Sequence, residues 1–106
     1  MDKYEQAAGY ADRIEAELRA LGRWQDTPPP ASAFESRTAF YGDTMALTQW
    51  LQFVLLARIR QVVAEKGAFP SHSQVAAYAV REFDTDYEAQ SLVPILSEFD
   101  KFIEGR

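Results

Sequence analysis

The sequence has 106 residues, no cysteine, and 16 acidic against 11 basic residues, which gives a net charge of −5. A chain of this length is expected to form one domain over residues 1–106, and the lack of cysteine excludes disulfides, thiol catalysis and cysteine-based metal or iron–sulfur sites. The negative charge repels polyanions, so direct binding to nucleic acid or to an anionic membrane is disfavoured. The charged start lacks the apolar stretch of a signal peptide, and we expect a cytoplasmic protein.

The first predicted helix runs from Lys3 to about Arg23. Its apolar residues recur every three or four positions and leave a charged opposite face, which is typical of an amphipathic helix. Gly22 is the expected stop, and Trp24 is expected to fold back onto the core because a large aromatic side chain seldom stays in water. The apolar fraction of this helix and of the last one leaves room for a homodimer.

The segment between the first two helices is predicted to be a long loop docked on the core. Three consecutive prolines, Pro28 to Pro30, cannot continue a helix and favour a semi-rigid spacer. From Ala31 to Met45 the chain combines turn-forming residues with large apolar ones, and a helical turn is expected around Ser36 to Phe40. Long docked loops often carry binding sites. The large apolar residues of this segment are Phe34, Phe40, Tyr41 and Met45.

The stretch from Leu47 to Lys66 is predicted to be a buried core helix around which the chain is organised. Helical spacing gives it two apolar faces, so it must be covered on both sides. Thr44 or Thr48 is the expected N-cap, and Lys66 followed by Gly67 is a typical helix end. Several polar side chains argue against a membrane span. One face carries Leu47, Trp50, Leu51, Val54, Leu55 and Val62, and the other carries Phe53, Leu56, Ile59 and Val63.

Arg58 disturbs this apolar pattern. On an ideal helix it falls on the same face as Leu51 and Val54. A guanidinium buried there without a partner would cost several kcal/mol, so it needs an acid, a set of carbonyls or a bound anion. Asp43, just before the helix, is the first candidate for a structural ion pair. Recognition of an anion by Arg58 is the alternative.

The third helix is predicted near His72 to Phe83. Ser71 with Gln74 three residues later matches a capping box that would open it. His72 is the single histidine of the chain. Since imidazole and thiolate are the usual transition-metal ligands, the sequence gives no support for a metal site or a cofactor.

The last helix is predicted to follow a second capping box, Thr85 with Glu88. Pro94 would either kink this helix or lie in the first turn of a helix that restarts there. Its apolar stripe faces the core, and three acids are expected on its exposed side: Glu98, Asp100 and Glu104.

These elements predict an all-α fold, a four-helix bundle with a long docked loop between helices 1 and 2. The candidate binding site lies where that loop meets the central helix. It has polar and aromatic groups but no nucleophile paired with a base, which favours a non-enzymatic binding or accessory module whose partner is another protein. An alternative is a small anionic-ligand binder or enzyme in which Arg58 holds the anion and Asp43 is the base. The candidate residues are Asp43, Arg58, Trp50, Gln52, Phe40 and Tyr41.

A set of residues spread over most of the chain matches the pattern of a known family: Trp24, Phe40, Asp43-Thr44-Met45, Trp50-Leu51-Gln52-Phe53-Val54-Leu55, Arg58, Pro70, Leu96, Phe99, Asp100 and Ile103. In these residues the sequence resembles the bacterial YqcC-like family. The resemblance implies a small cytoplasmic four-helix domain. The family is uncharacterised, and its link by genomic neighbourhood to a tRNA pseudouridine synthase implies a further alternative, an accessory factor for tRNA modification. The chain lacks the aspartate-bearing catalytic motif and the large mixed fold of such synthases, so it is not expected to be one.

Overall fold

The computed structural model describes residues 1–105, and every regular element in that range is helical. The central helix, as the name is used below, is a continuous rod made of three pieces, the middle one π-helical. The predicted all-α arrangement of four helices is confirmed, with the long loop between the first helix and the central one. The elements are α1 (Lys3–Ala20), α2 (Leu47–Trp50), the π-helical segment (Leu51–Leu55), α3 (Leu56–Glu65), α4 (Val75–Glu82) and α5 (Leu92–Glu104). Three 3-10 turns lie at Ala31–Glu35, Ala39–Tyr41 and Ala89–Ser91.

Helix α1 begins with a side-chain cap and packs against α3 and α5. The Asp2 carboxylate accepts a hydrogen bond from the Glu5 N–H at 2.8 Å, which satisfies one of the free amides of the first turn. The helix ends at Ala20, earlier than predicted, and Gly22 supplies the left-handed residue after it with a φ of 71°. Its buried residues are Ala7, Ala11, Ile14 and Leu18.

The loop after α1 is docked on the core, as predicted. Trp24 is half-buried, and the Arg19 guanidinium lies 4.5 Å from the centroid of its ring. Ala33 and Met45 are buried, and the Thr44 hydroxyl donates to the Ala33 carbonyl at 2.7 Å. The helical turn expected around Ser36 to Phe40 forms slightly later, at Ala39–Tyr41.

The central helix is covered on both sides, which confirms the main prediction for this stretch. Its apolar faces serve the core rather than a bilayer. Within residues 1–105 no helix has the combined length and apolar character to cross a membrane. The buried apolar residues of the rod are Leu47, Trp50, Leu51, Val54, Leu55, Leu56 and Ile59, and Phe53 and Val63 are half-buried.

Neither predicted threonine caps the central helix. Ala46 occupies the N-cap position, and the Gln49 side chain reaches back to accept a hydrogen bond from the Ala46 N–H at 2.8 Å. At the other end Lys66 itself is left-handed, with a φ of 49°. The Tyr4 hydroxyl contacts the carbonyl oxygens of Lys66 and Gly67 at 2.8 and 2.9 Å, so α1 fastens the end of the rod.

The start of α4 is capped by a carboxylate from α5. Asp100 is 5% exposed and accepts hydrogen bonds from the N–H groups of Val75 (3.2 Å) and Ala76 (2.8 Å) and from the Ser73 hydroxyl. The capping box predicted from Ser71 is therefore wrong, and so is the placement of Asp100 on an exposed face. The four N-terminal amides of a helix need acceptors, and here a residue 25 positions away supplies one.

Helix α5 begins at Leu92, so Pro94 lies in its first turn, one of the two predicted alternatives. The second predicted capping box is not the one formed, because Asp86 accepts from the Ala89 N–H at 3.4 Å. Both terminal nitrogens of Arg23 donate to Asp86, at 2.7 and 2.8 Å. This fork ties the end of α1 to the approach of α5.

Candidate functional site

A groove of about 610 Å³ lies between α3, the connection from α3 to α4, and the facing side of α5. Its walls are mainly aliphatic and aromatic. Although the chain has 16 acidic residues, none of them lines the groove. Residues 40 and 50 contribute aromatic rings to the lining, and five residues between Leu55 and Val62 form the wall from the central helix. The lining residues are Phe40, Trp50, Leu55, Arg58, Ile59, Gln61, Val62, Ala68, Phe69, Pro70, His72, Ser73, Gln74, Val75, Phe99 and Ile103.

Arg58 is exposed at the mouth of this groove. One terminal nitrogen of its guanidinium lies 3.5 Å from the Tyr41 hydroxyl oxygen, at the long limit of a hydrogen bond. Among residues 1–105 no carboxylate lies within 4 Å of it. Arg37 and Arg81 likewise have no acid within that distance among the described residues, and of these three arginines Arg58 lines the groove. Four arginines do pair with acids: Arg13, Arg19, Arg23 and Arg60.

The π-helical segment explains why Arg58 is not on the core face. The Leu56 N–H bonds to the Leu51 carbonyl, five residues back, so the segment holds one residue more than an α-helix would. Each residue turns a helix by about 100°, and the insertion turns every later side chain by roughly that angle. Ile59 takes the buried place predicted for Arg58, and Arg58 reaches the surface. The prediction that Arg58 lies in the apolar stripe is wrong.

The predicted pairing of Asp43 with Arg58 is also wrong. Asp43 is exposed, lies outside the groove lining and accepts a hydrogen bond from the Ser36 hydroxyl. That bond lowers the pKa of the Asp43 carboxyl below its ordinary value. The same Ser36 oxygen accepts from the Thr38 N–H at 3.0 Å. Asp43 therefore organises its own loop.

The aromatic end of the groove is held by backbone in an uncommon conformation. Phe40 and Tyr41 have φ values of 56° and 52°, a region that residues other than glycine rarely adopt. The Phe40 ring stacks on Tyr78 at 4.3 Å between centroids and meets Trp50 edge-on at 4.9 Å. A Cβ at Gly42 would lie 2.7 Å from the Tyr78 hydroxyl oxygen, so glycine permits this approach. Left-handed non-glycine residues held by surrounding contacts often occur at functional sites.

Gln52, another predicted site residue, has a structural role. It is 8% exposed and does not line the groove. Its side-chain oxygen accepts from the Gln25 N–H at 2.9 Å, and its side-chain nitrogen donates to the Gln25 carbonyl at 2.7 Å. Gln52 therefore fixes the chain that follows α1. Of the six predicted residues, the structure brings together Phe40, Trp50 and Arg58 on the groove, with the Tyr41 hydroxyl beside Arg58.

The sequence did not indicate the wall of the groove that comes from the connection between α3 and α4. Phe69 lines the groove, stacks on Tyr4 at 5.5 Å between centroids and meets Phe102 edge-on at 5.8 Å. Pro70 follows it directly. An aromatic residue beside a proline in a short connection was the available signal, because such a residue must pack against the flanking helices.

Comparison with known proteins assigns the family. The DUF446 family model, described as "tRNA pseudouridine synthase C", matches residues 6–102. The "Uncharacterized protein YqcC" of Escherichia coli K12 is 34% identical over 88 residues, which is 83% of this chain and 79% of that protein. This chain belongs to the YqcC family. An "Uncharacterized protein" of Haemophilus influenzae is 30% identical over 82 residues, 74% of this chain and 77% of that protein.

The fold is also that of the YqcC family. The solution NMR structure of protein YqcC from E. coli matches with a TM-score of 0.84 and 28% identity, over 98% of this chain and 90% of that one. A "tRNA pseudouridine synthase C" of Pectobacterium carotovorum is 40% identical over 57 residues. That stretch is 54% of this chain but 15% of the Pectobacterium protein, so the likeness covers a small part of it.

Proposed function

We propose that this YqcC-family chain is a non-enzymatic binding or accessory module that docks a partner protein in the groove. The observation that carries the proposal is an open apolar groove of about 610 Å³ with the exposed Arg58 at its mouth. Within residues 1–105 no carboxylate pairs with Arg58. A concave, mainly apolar groove with a few polar groups is a common form of binding site. We also propose a cytoplasmic location, which the lack of cysteine supports.

The polar groups of the groove favour binding over catalysis. The Ser73 hydroxyl donates to Asp100, and the same carboxylate accepts from two backbone amides at the start of α4. It is therefore engaged as a cap. His72 is exposed, and its Nδ1 lies 3.8 Å from a Glu104 carboxylate oxygen. Since Asp43 lies outside the groove, the base required by the Arg58 enzyme hypothesis has no place beside Arg58.

Affinity capture from native cells at endogenous level tests this function. We compare the unaltered chain with Val62→Trp, which adds bulk to the wall of the groove, and with Ala77→Trp, which adds the same bulk on the exposed face of α4. A docked partner should be retained by the Ala77 variant and lost by the Val62 variant. Ala68→Trp, at an exposed residue on the opposite wall, replaces Val62→Trp if that variant unfolds. Partners retained equally by all variants would contradict the proposal.

A second candidate function is assistance to a tRNA pseudouridine synthase. It is supported by the stretch of 57 residues, 40% identical to this chain, within a protein named tRNA pseudouridine synthase C. Two domains that are joined in one protein in one organism often act together when another organism makes them as separate chains. We expect the purified chain to bind the synthase of its own organism in isothermal titration calorimetry. It should not bind tRNA alone, because its net charge is −5. Absence of binding to the synthase, both in the presence and in the absence of tRNA, would contradict this candidate.

A further inference from the structure

The groove differs in charge from the rest of the molecule. The chain carries five more acidic than basic residues, yet the ionisable side chains that line the groove are Arg58 and His72. A surface this acidic repels an acidic partner over most of its area. The Asp100 and Glu104 carboxylates contact Ser73 and His72 on the α4 side of the groove. An apolar segment that carries a negative charge would therefore meet the least repulsion on the Arg58 side.

Arg58 is arranged to receive a carboxylate. Its guanidinium is exposed, no acid in residues 1–105 lies within 4 Å of it, and the Tyr41 hydroxyl lies 3.5 Å from one terminal nitrogen. A guanidinium offers two parallel N–H donors that match the two oxygens of a carboxylate. Because the π-helical segment turns Arg58 out of the core, this donor pair stands beside the apolar walls instead of within them.

The length of one groove wall matches two turns of a helix. The wall from Leu55 to Val62 spans eight residues of the central helix, and the seven steps between the first and the last rise about 10 Å at ~1.5 Å per residue. That length is two turns of a docked helix, which would place apolar side chains at positions i, i+3 or i+4, and i+7 against it. The opposite wall presents Phe69 and Ile103 to the same space.

We propose that the groove binds an amphipathic helical segment of a partner protein, whose apolar side chains enter the groove while an Asp or Glu beside them pairs with Arg58. This inference rests on the proposed docking function and adds the chemistry of the partner. A single guanidinium beside aliphatic walls selects one carboxylate next to apolar residues. Binding a phosphate backbone would instead need a row of cations.

Selection from a display library of short helix-forming peptides tests the inference. The full chain is used as bait, with Arg58→Gln, Arg37→Gln, Val62→Trp and Ala68→Trp as parallel baits. Arg37 is an exposed arginine that does not line the groove, so its variant is the charge-matched control. The unaltered chain and the Arg37 variant should enrich large apolar residues at helical spacing with a flanking Asp or Glu.

The carboxylate is then tested in the best enriched peptide. Arg58→Gln should weaken its binding about tenfold, as should replacing the peptide's acid by its amide, and the two changes together should weaken it no further than either alone. Equal binding of the acidic and amide peptides would overturn the Arg58 pairing while leaving the groove in place. The docking function itself would be overturned if the unaltered chain enriched no peptides, or if both tryptophan variants enriched the same peptides as the unaltered chain.

Discussion

The carboxylate of Asp100 supports the start of α4 from another helix, and Asp100→Ala should destabilise the fold far more than the loss of an exposed ion pair. The substitution removes the acceptor for the Ser73 hydroxyl and for the N–H groups of Val75 and Ala76. Asp100 is 5% exposed, so water replaces the lost acceptor only in part. A helix start left without its acceptor is expected to fray.

The magnitude follows from these contacts. A hydrogen bond to a charged group contributes about 1.5–3 kcal/mol, and loss of a helix N-cap costs about 0.5–2 kcal/mol. Because part of the site can be rehydrated, we expect Asp100→Ala to lower the free energy of unfolding by about 3 kcal/mol in total. For a domain of this size that corresponds to a fall in melting temperature of roughly 12–24 °C. Asp100→Asn keeps one acceptor oxygen and should lose about half as much.

Urea unfolding followed by far-UV circular dichroism measures these differences. Glu98→Ala is the matched control on the same helix, since its carboxylate pairs with Arg13 at 2.8 Å but is 53% exposed. An exposed pair of this kind contributes at most about 1 kcal/mol. If Asp100→Ala and Glu98→Ala were destabilised by the same amount, the capping role assigned to Asp100 would be refuted.

Two glycines and one ion pair give further predictions. Gly42→Ala should destabilise the fold by about 1 kcal/mol, because the new Cβ would lie 2.7 Å from the Tyr78 hydroxyl oxygen and displace it. Gly9→Ala should stabilise the fold by about 0.5–1 kcal/mol, because Gly9 lies within α1 with open space around it. Urea unfolding gives both, and equal signs would contradict the packing argument. The hydrogen bonds from Arg23 lower the pKa of the Asp86 carboxyl, so the native state binds fewer protons than the unfolded chain in acid. The stability that this pair contributes is therefore present above about pH 4 and is lost as the pH falls through the lowered pKa. The difference in unfolding free energy between the unaltered chain and Arg23→Gln should therefore shrink in acid, and a difference that grew there would contradict this assignment.

The helices were predictable from the sequence because local spacing determines them. The apolar spacing in α1, the central helix and α5 reflects burial, and the position of Pro94 follows from the missing amide hydrogen of proline. The caps were not predictable in the same way. A serine or threonine followed three residues later by Glu or Gln suggests a capping box, but the acceptor that forms at α4 comes from Asp100, 25 residues further along the chain. Only packing of α5 against α4 brings it there.

The candidate site was predicted in part, and the π-helical segment accounts for much of the difference. In an uninterrupted α-helix, Leu51 and Ile59 would differ in direction by about 80°, and one of them would leave the core. The extra residue in Leu51–Leu55 aligns them, and both are buried. The same rotation carries Arg58 away from the core to the mouth of the groove, so one inserted residue both completes the core and exposes the cation. In the sequence this shift looks the same as a second apolar face, because Ile59 also fits a helix that is covered on both sides, and Arg58 was therefore assigned a buried partner. The docking site proposed here therefore depends on this segment, in agreement with the frequent occurrence of π-bulges at functional sites.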